Sequence, residues 1–124
     1  VDRQRAFTGT PWEAKVGYCR ALRTGAQVLV SGCAPVGATD KGAYEQAKRC
    51  IEILEKSLRE LGAELRHVVR TRMFVTDISQ WQEYGRAHGE AFAAFPPVTS
   101  MVEVRALIEP AMLIEIEADA IIDD

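Results

Sequence analysis

The chain has 124 residues, 48% of them hydrophobic, with a formal net charge of −3 and an isoelectric point near 5.4. Those values describe one domain, residues 1–124, able to bury a real core, and they disfavour nucleic-acid binding, which usually shows a basic patch. No apolar run approaches the roughly 20 residues of a membrane span.

There is no signal-peptide pattern. The three cysteines, Cys19, Cys33 and Cys50, are odd in number and widely spaced, which suits a reducing, cytoplasmic setting better than a disulfide scaffold. With His67 and His88 isolated and no CxxC or HxxxH, no metal site is expected.

In chain order, residues 3–9 read as a short first strand, and Trp12 to Gly17 as a loop. Tyr18–Arg23 and Gln27–Ser31 follow as two strands around Thr24-Gly25. Gly32 to Gly42 is turn-rich and ends with Asp40 as a helix cap. Tyr44, Ala47, Ile51, Leu54, Leu58 and Leu61 recur at spacings of three and four, the stripe of an amphipathic helix. Glu52–Lys56 and Glu55–Arg59 support it at i, i+4, and Gly62 is its expected stop.

Val68–Val75 alternates as a strand, with Arg70 and Arg72 on the face opposite Val69, Thr71 and Met73. Asp77 to Gln80 has capping-box spacing and opens a second helix whose buried stripe is Ile78, Trp81, Gly85, His88, Phe92 and Phe95. His88 on that stripe reads as a satisfied core histidine. Pro96-Pro97 stops the helix.

From Ser100 the period becomes two, with Ser100, Val102, Val104 and Ala106 on the apolar face; after Glu109-Pro110 it resumes from Met112. The pair predicts a β-hairpin. The order is thus β-β-β-α-β-α-β-β: an α+β fold with two helices on one face of a mixed sheet.

The other sheet face carries Glu115, Glu117 and Asp119 in a row, same-face neighbours standing about 7 Å apart. Two readings stay open: a solvated face answered by Arg70 and Arg72, or a site where one carboxylate has a raised pKa and handles protons. A charged face left bare by the helices also predicts self-association.

Three blocks carry a resemblance: Gly17-Tyr18 leading to LRTGAQVLVSG, FVTDISQWQEYGRAHGEAF, and SMVEVRAL with IEIEADA. Together they resemble the reactive-intermediate deaminase family (RidA/YjgF, also labelled L-PSP endoribonucleases), over nearly the whole chain. The resemblance implies a chorismate-mutase-like fold, a homotrimer with clefts between subunits, no cofactor, and hydrolysis of enamines and imines such as 2-aminoacrylate to a 2-oxo acid and ammonia. It implies substrate contacts from Tyr18, Ser31 and Gly32, and water positioned by Glu117 as the catalytic residue.

The chain departs from the family pattern where an arginine clamps the substrate carboxylate. Thr99 stands there, and sliding the match by one gives Ser100. Losing one partner of a buried charge pair costs about 2–5 kcal/mol, so the expected small-molecule substrate is not simple 2-aminoacrylate. Cys33 follows Ser31-Gly32 at the cleft where glutamine is common; it reads as a wall residue, or as a nucleophile lacking a visible base. The alternative function is a non-catalytic trimer that binds a small metabolite or a protein partner. A ribonuclease comes third, given the acidic pI and absent histidine pair.

Overall fold

The computed structural model describes residues 2–123. Three short strands, β1 (Arg3–Ala6), β2 (Ala21–Thr24) and β3 (Gln27–Cys33), form an antiparallel meander. Helix α2 (Ala43–Glu60) leads to β4 (Val68–Val75), and α3 (Trp81–Phe92) to β5 (Val98–Glu103); β6 (Ile114–Ile121) comes last. The six strands lie in the order β1-β2-β3-β6-β4-β5.

Strand β6 is antiparallel to both β3 and β4, so β3 and β4 run parallel, and β5 is parallel to β4. The chain therefore makes two parallel crossovers, through α2 and then α3, in the same direction across the sheet. Such crossovers are right-handed, which leaves both helices on one face. The core lies in that layer: Val28, Val30, Met73, Val75, Ile114 and Ile116 from the sheet against Leu54, Leu58, Tyr84 and Phe92, all buried. The expected α+β order and helix placement are present.

Four local expectations are corrected. The segment expected as a loop is helix α1 (Pro11–Val16), started by Pro11, whose fixed φ suits a first turn, and stopped by Gly17 in the left-handed region at φ 88°. Strand β2 begins at Ala21, because residues 18–20 still complete the approach from α1. The cap before α2 is Gly42, with no side-chain cap bond, in place of Asp40. On α3 the buried side chains are Tyr84, Ala87 and Phe92, while Ile78, Trp81 and Phe95 are exposed.

The largest correction concerns the hairpin. β5 and β6 are not neighbours, since β4 lies between them. The connection enters β6 under α2, where buried Gln46 donates to Ala111 O at 3.0 Å and accepts from Leu113 N at 2.8 Å. A tight turn would have forced β5 and β6 together; this ten-residue-scale path, pinned by a glutamine on a distant helix, carries the strand to the centre instead.

The faces of β5 are also opposite to expectation. Thr99 pairs with Thr71 and Met101 with Met73, and parallel partners in register share a face, so both point to the helix side. Met101 packs against the core, while Val98 and Val102 lie exposed on the other face.

Candidate functional site

Between β3 and β6 the register jumps from Val30–Ala118 to Cys33–Ile116, so Ser31 and Gly32 form a bulge. Bulges re-aim side chains and carbonyls at a strand end. Here the bulge is fixed from the segment preceding β2. Ser31 N donates to Arg20 O at 2.9 Å, and Ser31 Oγ donates to Cys19 O at 2.7 Å.

Arg20 is a buried arginine. Its Nη1 donates to Gly32 O at 2.5 Å and to Ser31 O at 3.3 Å, and its Nε lies 3.9 Å from Glu13 Oε2. Its guanidinium carbon is 5.6 Å from the Tyr18 ring centroid. Glu13, also buried, accepts from Thr8 N at 3.1 Å, from Gly9 N at 3.3 Å and from the Thr8 hydroxyl. Burial opposes ionisation of Glu13, but those hydrogen bonds and the Arg20 charge outweigh it and hold its carboxyl below the usual range.

Beside the bulge opens a pocket of about 400 Å³, within the range of small-molecule sites. Tyr18, Arg20, Gly32 and Glu115 are among its lining residues, with Ile53 and Lys56 of α2, Trp12 of α1 and Ile108 of the connection into β6. Glu115 lies tight against Gly32: a Cβ there would overlap Glu115 Oε2. Burial raises the Glu115 carboxyl above its ordinary value, and the Glu117 charge adds to this, while Arg20 pulls the other way. A half-buried carboxyl with a raised pKa, standing in a pocket, is suited to exchanging a proton with a bound molecule.

The residues singled out by sequence divide into three places. Tyr18 and Gly32 line the pocket, and Ser31 holds the bulge behind it. Cys33 points into the core and is fully buried; burial pushes its thiol up, which leaves little thiolate. Glu117 is on the helix-free face, where it accepts from Arg72 Nη1 at 3.0 Å. Asp119 lies 4.0 Å from Arg70 and 3.9 Å from Arg72 on the same face.

Thr99 and Ser100 are elsewhere. Thr99 Oγ1 accepts from Thr71 Oγ1 at 2.7 Å, and Thr71 Oγ1 is 2.8 Å from His88 Nε2, all on the helix side. Ser100 pairs in register with Arg72. Within one chain, β5 stands three strand spacings from β3, about 14 Å, so these two do not share the pocket with Tyr18.

Two residues of the pocket escaped the sequence reading. Glu115 belongs to the acidic row, but alternation gives it the same face as Glu117 and no rank above it. Only the bulge on β3 distinguishes them. Arg20 offered a faint signal, a charge directly before apolar Ala21 and Leu22.

Residues 8–122 match the family model described as Endoribonuclease L-PSP. A crystal structure of a YjgF/YER057c/UK114 family member from Mycobacterium tuberculosis superposes with a TM-score of 0.93 at 45% identity, covering 98% of this chain and 100% of that one. A RutC family protein from Pyrococcus abyssi is 33% identical over 83% of this chain and 84% of its own length. An uncharacterized protein of Streptomyces coelicolor is 30% identical over 94% of this chain and 90% of its own. The chain belongs to the L-PSP endoribonuclease (YjgF/RutC) family. Among the described residues, no helix is long and apolar enough to cross a membrane, and no group of side chains could hold a metal ion.

Proposed function

We propose that this protein is a hydrolase that deaminates an enamine or imine in the pocket beside the β3 bulge, with Glu115 handling the proton. The observation that carries this is the Glu115 carboxyl, half-buried against Gly32 and raised in pKa, lining a small-molecule pocket. Imine hydrolysis adds water to the C=N carbon, moves the water's proton to nitrogen and then breaks the C–N bond to release ammonia. One carboxylate can take the proton from water and return it to the departing nitrogen, which contributes about 10²–10⁴-fold. An enamine first takes a proton at its β-carbon and then follows the same course.

The pocket is roomier than a three-carbon enamine needs, and Ile53, Trp12 and Ile108 give it an apolar wall. That supports a substrate bulkier than 2-aminoacrylate, in keeping with the absence of an arginine at Thr99. Neither histidine lines the pocket, and nothing in its chemistry favours cleavage of RNA.

The assembly we propose is a homotrimer. The helix-free face carries exposed Leu29, Val98, Val102 and Ile121 among the Arg70, Arg72, Glu117 and Asp119 charges. Apolar side chains interleaved with balanced charge suit burial against further copies, and a second copy is what would bring a Ser100 near a Tyr18.

The test is ammonia release from imines made in situ by an amino-acid oxidase from amino acids of increasing side-chain size, alongside 2-aminoacrylate. The expected result is acceleration that grows with side-chain size and is lost in Glu115→Gln. Saturable binding of the corresponding 2-oxo acids without any acceleration would replace the hydrolase with a binding protein.

A further inference from the structure

We infer that Arg20 is a positioning residue for Glu115: it locks the bulge against which that carboxylate packs and places a fixed positive charge beside it. The inference rests on the proposed role of Glu115 and adds a second residue that acts through it.

The geometry is specific to an arginine. The bulge leaves two carbonyls, Ser31 O and Gly32 O, turned out of the β3–β6 ladder, and Arg20 Nη1 answers both. The main chain of Arg20 is tied as well, its N–H donating to Ala6 O at 2.8 Å and its carbonyl accepting from Ser31 N. Nε faces Glu13 at 3.9 Å, so a charge that is only 7% exposed at its side chain has a counter-charge. A lysine's one nitrogen could meet the two carbonyls as Nη1 does, but it has no second nitrogen to face Glu13 at the same time. Gly32 then transmits the position: the Glu115 carboxylate packs where a Gly32 side chain would stand, so a shift of the bulge shifts the surface on which the carboxylate rests.

Other charges around Glu115 do not duplicate this one. Glu117, on the same strand, is paired with Arg72. In the pocket lining Arg49 donates to Val36 O and lies 3.4 Å from Glu52, and Lys56 is exposed. Phe74, the β4 partner of Glu115, is uncharged, and Glu13 lies behind Arg20. Arg20 is the cation whose field lowers the Glu115 carboxyl.

The experiment is a carboxyl-carbon NMR titration of Glu115 in the intact protein, its signal assigned by loss in Glu115→Gln, compared across Arg20→Gln, Arg20→Lys and Glu13→Gln. Removing the charge in Arg20→Gln should raise the Glu115 midpoint by about one unit. Arg20→Lys should leave the midpoint near the natural value yet move the Gly32 amide signal, because the clamp loses its second anchor at Glu13. Glu13→Gln, which unmasks the Arg20 charge, should lower the midpoint, and it keeps the question answerable if Arg20→Gln does not fold. An unmoved midpoint in folded Arg20→Gln and in Glu13→Gln overturns the inference. The titration needs no turnover, so it gives its answer even where ammonia release shows that the hydrolase proposal is wrong.

Discussion

Gly32 and Glu115 sit so close that a Cβ on the glycine would fall 2.7 Å from Glu115 Cδ. The obstacle is the far end of a flexible side chain, not backbone, so the structure has a cheap response to a methyl group there: the carboxylate swings away. Gly32→Ala should therefore fold, with a stability change within about 1 kcal/mol, yet lose about 10²-fold or more in ammonia release. Chemical denaturation set beside the release assay checks this; a fully active, stable Gly32→Ala removes the contact from the mechanism.

Glu115 should also leave a stability signature of its own. Its folded pKa is raised above the unfolded value, so what it contributes is present below the unfolded pKa and is lost as pH rises through the folded one. At neutral pH the ionised carboxylate is then a burden. Glu115→Gln should raise the melting temperature by about 2–5 °C at pH 7.5, with the gain vanishing near pH 4. Thermal melts across that range decide it, and a melting temperature lowered at pH 7.5 would contradict it.

Glu117→Gln should behave differently. Its partner Arg72 is 3.0 Å away, with side chains 43% and 35% exposed for Arg72 and Glu117, and such half-exposed pairs contribute under about 1 kcal/mol. Turnover by Glu117→Gln should stay within a few-fold of the natural protein, while Glu115→Gln loses most of it. Reversal of that order in the ammonia assay would return the proton-handling role to Glu117.

His88 governs a second pH window. Burial lowers its pKa from 6.5, and its Nε2 is bonded to Thr71 Oγ1. A depressed folded pKa gives stability that is present above the unfolded value and lost as pH falls through the folded one. The His88 contribution should therefore be smaller at pH 5.5 than at 7.5, opposing the Glu115 trend, and His88→Gln, which retains a partner for Thr71, should remove that part of the pH dependence. Denaturant midpoints at the two pH values make the comparison; an equally steep difference in His88→Gln would count against it.

The helix-free face predicts the assembly. Val98→Glu with Val102→Glu changes two exposed residues of β5, so the monomer core should be spared while self-association weakens. Sedimentation should show the natural protein as a trimer and the variant shifted to smaller species. A stable natural monomer at micromolar concentration would remove the trimer.

How much of this was legible in the sequence follows from the range of each interaction. The α2 stripe from Ala47 to Leu58, the alternation of β4 and β6, and the pairing of Arg72 with an acidic row are consequences of periodicity, which any few consecutive residues express. They make the two long helices and the six strands legible and offer Arg70 and Arg72 as candidate answers to the row, but they leave helix α1 looking like a loop. Strand neighbours are different. β5 looked like one arm of a hairpin with β6 because the two follow each other in the chain; what separates them is β4, paired to both, and Gln46 holding the path between.

The site shows the same divide more sharply. Period two puts Glu115 and Glu117 on one face as equals. The tertiary structure separates them, because the Glu115 side chain packs on Gly32 of the bulge that Arg20 clamps, while the Glu117 carboxylate turns to the guanidinium of Arg72. Likewise Thr99 turns to the helix side because β5 joins the sheet parallel to β4, which sets its face by register with Thr71. Local pattern determined which residues alternate; only long-range pairing decided which face each alternation presents, since shifting a strand by one residue exchanges its two faces.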